Sequence, residues 1–194
     1  MRTVFNVDQS LQDVRDHASF GLCFPAFADD SILEMPSLKV IKAAKRITSM
    51  LGIADELWDP RASWVPDAAK FPFDMLPAHY HPTDTQLLVP HHPFIDVLPW
   101  PSVRNKLICT LAQPPQLRPP SARDPMAIMF LALDIDDDAE GVRISGSDGL
   151  DEASWEIGQT IFKNWWWAFS RPIINNSNRL RIDRGAGPLR LQPA

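Results

Sequence analysis

Cysteine, basic charge and long apolar runs are all scarce in this 194-residue chain. Its two cysteines, Cys23 and Cys109, make a poor disulfide framework, which points to a reduced, intracellular protein. A net charge of −5 leaves no basic excess for tracking a phosphate backbone. No uncharged apolar stretch approaches the roughly 18 residues of a membrane span. The N-terminal "MRTVFNVDQSLQDVRDHASFG" lacks the continuous apolar segment of a secretory signal. A Gly-rich phosphate loop, a nucleophile elbow, an HExxH helix, an internal repeat and a heptad series are missing too. The expectation is a soluble protein of the cytoplasm or nucleus. It has no cofactor, no direct nucleic-acid partner and no membrane partner.

Proline is abundant, with 19 residues. Each fixes φ and removes a backbone donor, so long central strands are disfavoured. Short helices joined by proline-punctuated loops fit better, and the length suits one domain, since domains run to about 100–200 residues. The expected fold is an all-α, compact helical domain over 1–194, with at most a short strand or hairpin. Residues 1–35 are weakly patterned and read as an N-terminal arm.

A first helix is expected after "MPS", capped by Ser37, with Val40, Ala44, Ile47 and Leu51 as its stripe and Gly52 as its stop. Lys39, Lys42, Lys45 and Arg46 form its polar side. Proline breaks residues 58–101 too often for a long element, yet their apolar content predicts packing. A second helix is expected from a Ser102 cap, carrying Val103, Leu107, Ile108 and Leu111. "QPPQLRPP" reads as an exposed, extended connector. "MAIMFLALDI" fits a buried strand or a buried helix, and its composition favours helix. "GVRISGSDG" has turn chemistry. Residues 152–169, "EASWEIGQTIFKNWWWAF", are expected to form one central helix, and "IINNSNRLRIDRG" a last helix ending near Gly185.

Two blocks, "HHPFIDVLPWPSVRNKLI" and "SWEIGQTIFKNWWWAFSRPIINNSNRLRIDRG", resemble a fungal domain of unknown function. That domain usually lies C-terminal to the DNA-binding segment of bZIP transcription factors. The resemblance covers residues 86–186 and implies a helical fold. It differs in lacking the family's "VWG…PWDP" segment and in carrying Leu180 where a Trp is usual. No basic region or zipper accompanies it, so DNA binding by that route is not expected.

Four of five histidines, His79, His81, His91 and His92, lie close in sequence. Without a zinc signature they read as loop histidines more readily than as ligands. Pairing of His91 or His92 with Asp96 gives the sharper reading, because a carboxylate orients and charges an imidazole. Asp134, Asp136, Asp137 and Asp138 only loosely resemble the magnesium motifs of terpene synthases, and fit a solvated helix end. Glu156 complements a helix dipole or, if buried among aromatics, serves as a general acid. Arg179, Arg181 and Arg184 are candidates to pair with it or with Asp183. Trp165, Trp166 and Trp167 lie about 100° apart on a helix, so they cannot all line one pocket.

The leading expectation is therefore a small-molecule-binding protein of fungal specialised metabolism, catalytic if it turns its ligand over. It would be a cofactor-independent cyclase or isomerase acting on an apolar substrate. Its catalytic candidates are His91, His92, Asp96 and Glu156. Its ligand-binding candidates are Phe94, Trp100, Trp155, Trp165, Trp166 and Arg179, with no metal. The alternative is a regulatory or protein-interaction module. A homodimer is compatible with either.

Overall fold

The computed structural model describes residues 36–191. The arm expected over 1–35 and Cys23 fall outside them. The described residues are mainly helical, with one two-stranded antiparallel sheet. Helix α1 is Pro36–Leu51, α2 Asp84–Leu88, α3 Pro101–Leu111 and α4 Ala127–Ile135. Strands β1, Val142–Ile144, and β2, Trp155–Ile157, follow, then α5, Gln159–Trp165, and α6, Arg171–Asp183.

Helix α1 starts at Pro36, one residue before the expected Ser37 cap. It stops where expected, at Gly52, whose φ of 71° is easy only for glycine. Trp100, not Ser102, is the N-cap of α3, because Pro101 takes the first helical position, where a missing N–H is no loss. "MAIMFLALDI" resolves as helix. The connector expected to be extended instead folds into 3₁₀ turns at Pro115–Leu117 and Pro120–Ala122. Proline fixes the φ that such turns use.

The largest correction concerns the expected helix over 152–169. It is a 3₁₀ turn, the strand β2, the short α5 and a second 3₁₀ turn at Trp166–Ala168. Strand β2 pairs Trp155 with Ile144, Glu156 with Arg143 and Ile157 with Val142. All three β2 residues are buried, so no amphipathic period separates strand from helix there. Gly158 makes the corner. A Cβ on it would lie 2.1 Å from the Glu140 carbonyl oxygen and 2.3 Å from that of Gly141.

Two apolar clusters form the core. The larger joins α3, α4, the sheet and α5 through residues such as Val103, Leu107, Leu131, Ile157, Ile161 and Trp165. The smaller gathers Ile47, Leu57, Leu76, Tyr80, Val97 and Leu150. Phe94 packs against both.

Candidate functional site

The "HHPFID" block folds as a 3₁₀ helix, Pro93–Val97, launched by His92. His92 Nδ1 accepts from the Phe94 N–H (3.1 Å), and its Nε2 donates to the Asp59 carbonyl (2.9 Å). That pattern requires a neutral ring, and burial pushes the His92 pKa down against the pull of the Asp59 carbonyl. His91 is the opposite case. Its Nδ1 lies 2.7 Å from the Val89 carbonyl and its Nε2 3.0 and 3.2 Å from the two Asp96 oxygens. Both nitrogens face acceptors, so both donate and the ring is an imidazolium. Burial alone would depress His91, but the Asp96 hydrogen bond and charge, with the Val89 carbonyl, carry its pKa upward.

Asp96 is the centre of a wider network. Trp64 Nε1 donates to one oxygen (2.8 Å) and Gln86 Nε2 to the other (2.6 Å). Trp64 is brought there by a backbone bridge, exchanging N–H···O bonds with His91 at 2.9 and 3.1 Å. Gln86 is brought by a capping box at the start of α2, where Thr83 and Gln86 cap each other. The Gln86 carbonyl then accepts from Arg104 Nε (3.0 Å). Arg104 is fully buried on α3 and spends its other nitrogens on the carbonyls of Leu98, His79 and His81. Sequence reasoning missed Trp64, Gln86 and Arg104. For Arg104 a signal existed: it shares the face of Leu107 and Ile108, three and four residues on.

The sequence had grouped Glu156 with His91, His92 and Asp96, but the structure places it in a separate cluster. Arg184 holds both its oxygens, with Nη2 at 2.8 Å and Nε at 3.1 Å from each. Arg181 stands 3.5 Å away and bonds Glu140 at 2.7 Å, which lowers the Glu140 pKa. Glu156 sits mid-strand, not at a helix N-terminus, and ties β2 to α6 as an ion pair. Arg179 is on the outer side of α6, bonded to Asn176 and paired with Asp183 at 3.5 Å.

Trp100 is edge-on to Trp155 (ring centroids 6.1 Å apart) and to Phe169 (5.9 Å). Trp100 thus packs against both rings, and all three are buried. Trp165 is buried and donates to Asp134 (2.7 Å), and Trp167 donates to Ser121 (3.1 Å). Trp166 is about half exposed. Asp134 is thus a structural acceptor, while Asp136, Asp137 and Asp138 are exposed. Among the described residues no group of three or more His, Cys, Asp or Glu is placed to hold a metal ion. No described helix is long and apolar enough to cross a membrane.

Clefts on the surface of the described residues include three that bear on these candidates. One of about 250 Å³ runs past His91 and His92, whose ring nitrogens are all engaged elsewhere. The second, of about 310 Å³, lies between α1 and the turn after β1. The third, of about 390 Å³, is apolar and separates α1 from α4. Val40, Leu57, Phe94 and Ile135 line it, and Ile41, Trp58 and Leu133 stand exposed along it. Of the ligand-binding candidates, Phe94 borders the third of these clefts, and the other candidates border none of the three.

No curated protein and no solved structure matches this chain. One family model does. It spans residues 60–179, more than half the chain, reaching back beyond the expected start at 86 to include Trp64 and the whole Asp96 network. The histidine–aspartate block, the tryptophan segment and this match together make the chain a member of the family described as Domain of unknown function (DUF3425).

Proposed function

We propose that this domain is a protein-interaction module whose α1–α4 groove receives the apolar face of an amphipathic helix. The observation that carries this is the groove itself. Its floor is aliphatic and aromatic, and Trp58, Leu133 and Ile41 project from it at 68%, 64% and 45% exposure. A small molecule sunk in the floor would leave these side chains wet. A helix laid along the groove covers floor and rim together, with apolar anchors at i, i+4 and i+7. Lys45 on α1 and Asp136, the residue that ends α4, flank the groove, so the partner helix should carry acid beside one and base beside the other.

The engagement of the catalytic candidates also favours this reading over a cyclase or isomerase. A general base needs a free lone pair and a general acid a transferable proton. The nitrogens of His91 and His92 and the oxygens of Asp96 and Glu156 are all held by protein partners.

The test is selection of a phage-displayed library of helical peptides on the intact protein. Enriched peptides should share the spaced apolar pattern and bind about tenfold or more weaker to Trp58→Ala and Leu133→Asp. Trp58→Ala should change stability by no more than about 0.5 kcal/mol, since the ring is mostly exposed. Enrichment indifferent to both substitutions overturns the reading. So does decanol binding in the groove, seen by NMR shifts of α1 and α4, with no peptide enriched; that result assigns the groove to a small molecule.

A further inference from the structure

Helix α4 forms one wall of the α1–α4 groove and turns a second apolar row to solvent. Met126, which caps α4, Phe130 and Leu133 stand at i, i+4 and i+7. At about 100° per residue they fall within about 60° of one another. Their exposures are 44%, 46% and 64%. On the inner side Ala127, Leu131 and Ile135 are buried in the larger core cluster. No polar residue interrupts the sequence between Asp124 and Asp134. A helix apolar on its inner and outer sides alike belongs to a covered position.

This row has the spacing that the groove requires of an occupant. Row and groove are also contiguous, because Leu133 ends the one and lines the other. A single contact with a second copy therefore covers both, each copy giving its row and receiving the other's, as a two-fold contact demands. A stable interface covers roughly 800 Å² per partner, about 20 residues a side. Three side chains fall well short of that, so the row must bring the groove floor and the exposed Ile41 and Trp58 into the same contact. Charge sets the direction. Asp136, Asp137 and Asp138 end and follow α4 as exposed acids, beside Arg143, which donates to the carbonyls of Asp138 and Ala139. Arg123 and Asp124, also exposed, precede the helix. Parallel helices would set one acidic run against the other. Antiparallel helices centred near Phe130 keep the runs apart and bring Arg123 of each copy toward Asp137 of the other, since the two residues lie equally far from Phe130 in sequence.

We infer that the occupant of the α1–α4 groove is α4 of a second copy of this chain, seated antiparallel about a two-fold axis with Met126, Phe130 and Leu133 as its anchors. The inference rests on the helix-in-groove reading above and names the helix.

Sedimentation velocity on the intact protein, over a range of micromolar concentrations, tests this. Reductant is kept present because Cys109 is exposed. A concentration-dependent dimer is expected. Phe130→Lys, on the row, should weaken it about tenfold or more, and so should Trp58→Ala, on the groove. Met126 and Phe130 do not line the groove. Met126→Lys therefore replaces Phe130→Lys if that variant fails to fold. With its groove vacated, the row variant should bind the helical peptides selected above more tightly than the wild-type chain does. A chain that stays monomeric at every concentration while such peptides bind overturns the inference and leaves the helix-in-groove reading standing. A dimer that survives the row substitution overturns it as well. So does one indifferent to Trp58→Ala, because row then meets row outside the groove. A monomeric row variant that binds no peptide overturns the reading and the inference with it.

Discussion

His91 and His92 are neighbours with opposite charge states, and each is explained by what its two nitrogens face. The folded pKa of His91 is raised. Its charged form therefore stabilises the fold fully below the unfolded value of about 6.5, and the contribution is lost as pH rises through the folded value. The folded pKa of His92 is lowered, so its contribution is present above about 6.5 and lost as pH falls through the folded value. Replacing His91 by Gln keeps His92 and strips Asp96 of its buried cation. Urea unfolding should show a loss of about 3 kcal/mol near pH ~6. The gap should narrow as pH rises above about 6.5, because folding must then take up a proton at His91. A gap that stays constant over this range would rule out a charged His91. The pairing with Asp96 was legible in the sequence from spacing and from the family block. Its Trp64 partner, 32 positions away, was not, because a tertiary bridge and not a local turn delivers it.

At the scale of elements, the helices with one wet face were readable. Alternation of apolar and polar groups set α1, α3 and α6 nearly as observed. Residues 152–169 were misread because nearly everything apolar there is buried, in strand and helix alike. The signal that was present is Gly158. It sits between β2 and α5 with its Cα against the backbone of Glu140 and Gly141, a place no side chain fits. The Glu140 carbonyl there also accepts from the Thr160 N–H at 3.0 Å, so the contact fixes the start of α5. Gly158→Ala must part the two backbones, and a loss of about 3 kcal/mol is expected by chemical denaturation. Gly187→Ala meets nothing within 4 Å and serves as the control, with a change under about 0.5 kcal/mol. Equal effects from the two would show that close backbone approach does not hold the corner.

For the whole molecule the question is whether two apolar clusters make one cooperative unit. Three features join them. Phe94 packs against both clusters. Arg104, on a helix of the larger cluster, bonds the carbonyls of His79 and His81 beside Tyr80 of the smaller. The Asp96 network ties the loop at Trp64 to α2 and to the block between the clusters. Opening one cluster therefore strips acceptors from a buried guanidinium and donors from a buried carboxylate, which costs several kcal/mol by general estimates of broken buried ion pairs. That penalty opposes partial unfolding and predicts a single transition. The molecule offers separate reporters. Tyr80, its one tyrosine, belongs to the smaller cluster, while the buried Trp100, Trp155 and Trp165 belong to the larger. Fluorotyrosine incorporation gives a ¹⁹F signal for the first, and near-ultraviolet circular dichroism reads the second. Their urea midpoints should coincide. If the Tyr80 signal moves to its denatured position first, the clusters unfold separately. The Arg104 and Asp96 links would then be local supports, and the larger cluster with the helices packed on it would be the stable unit of the fold.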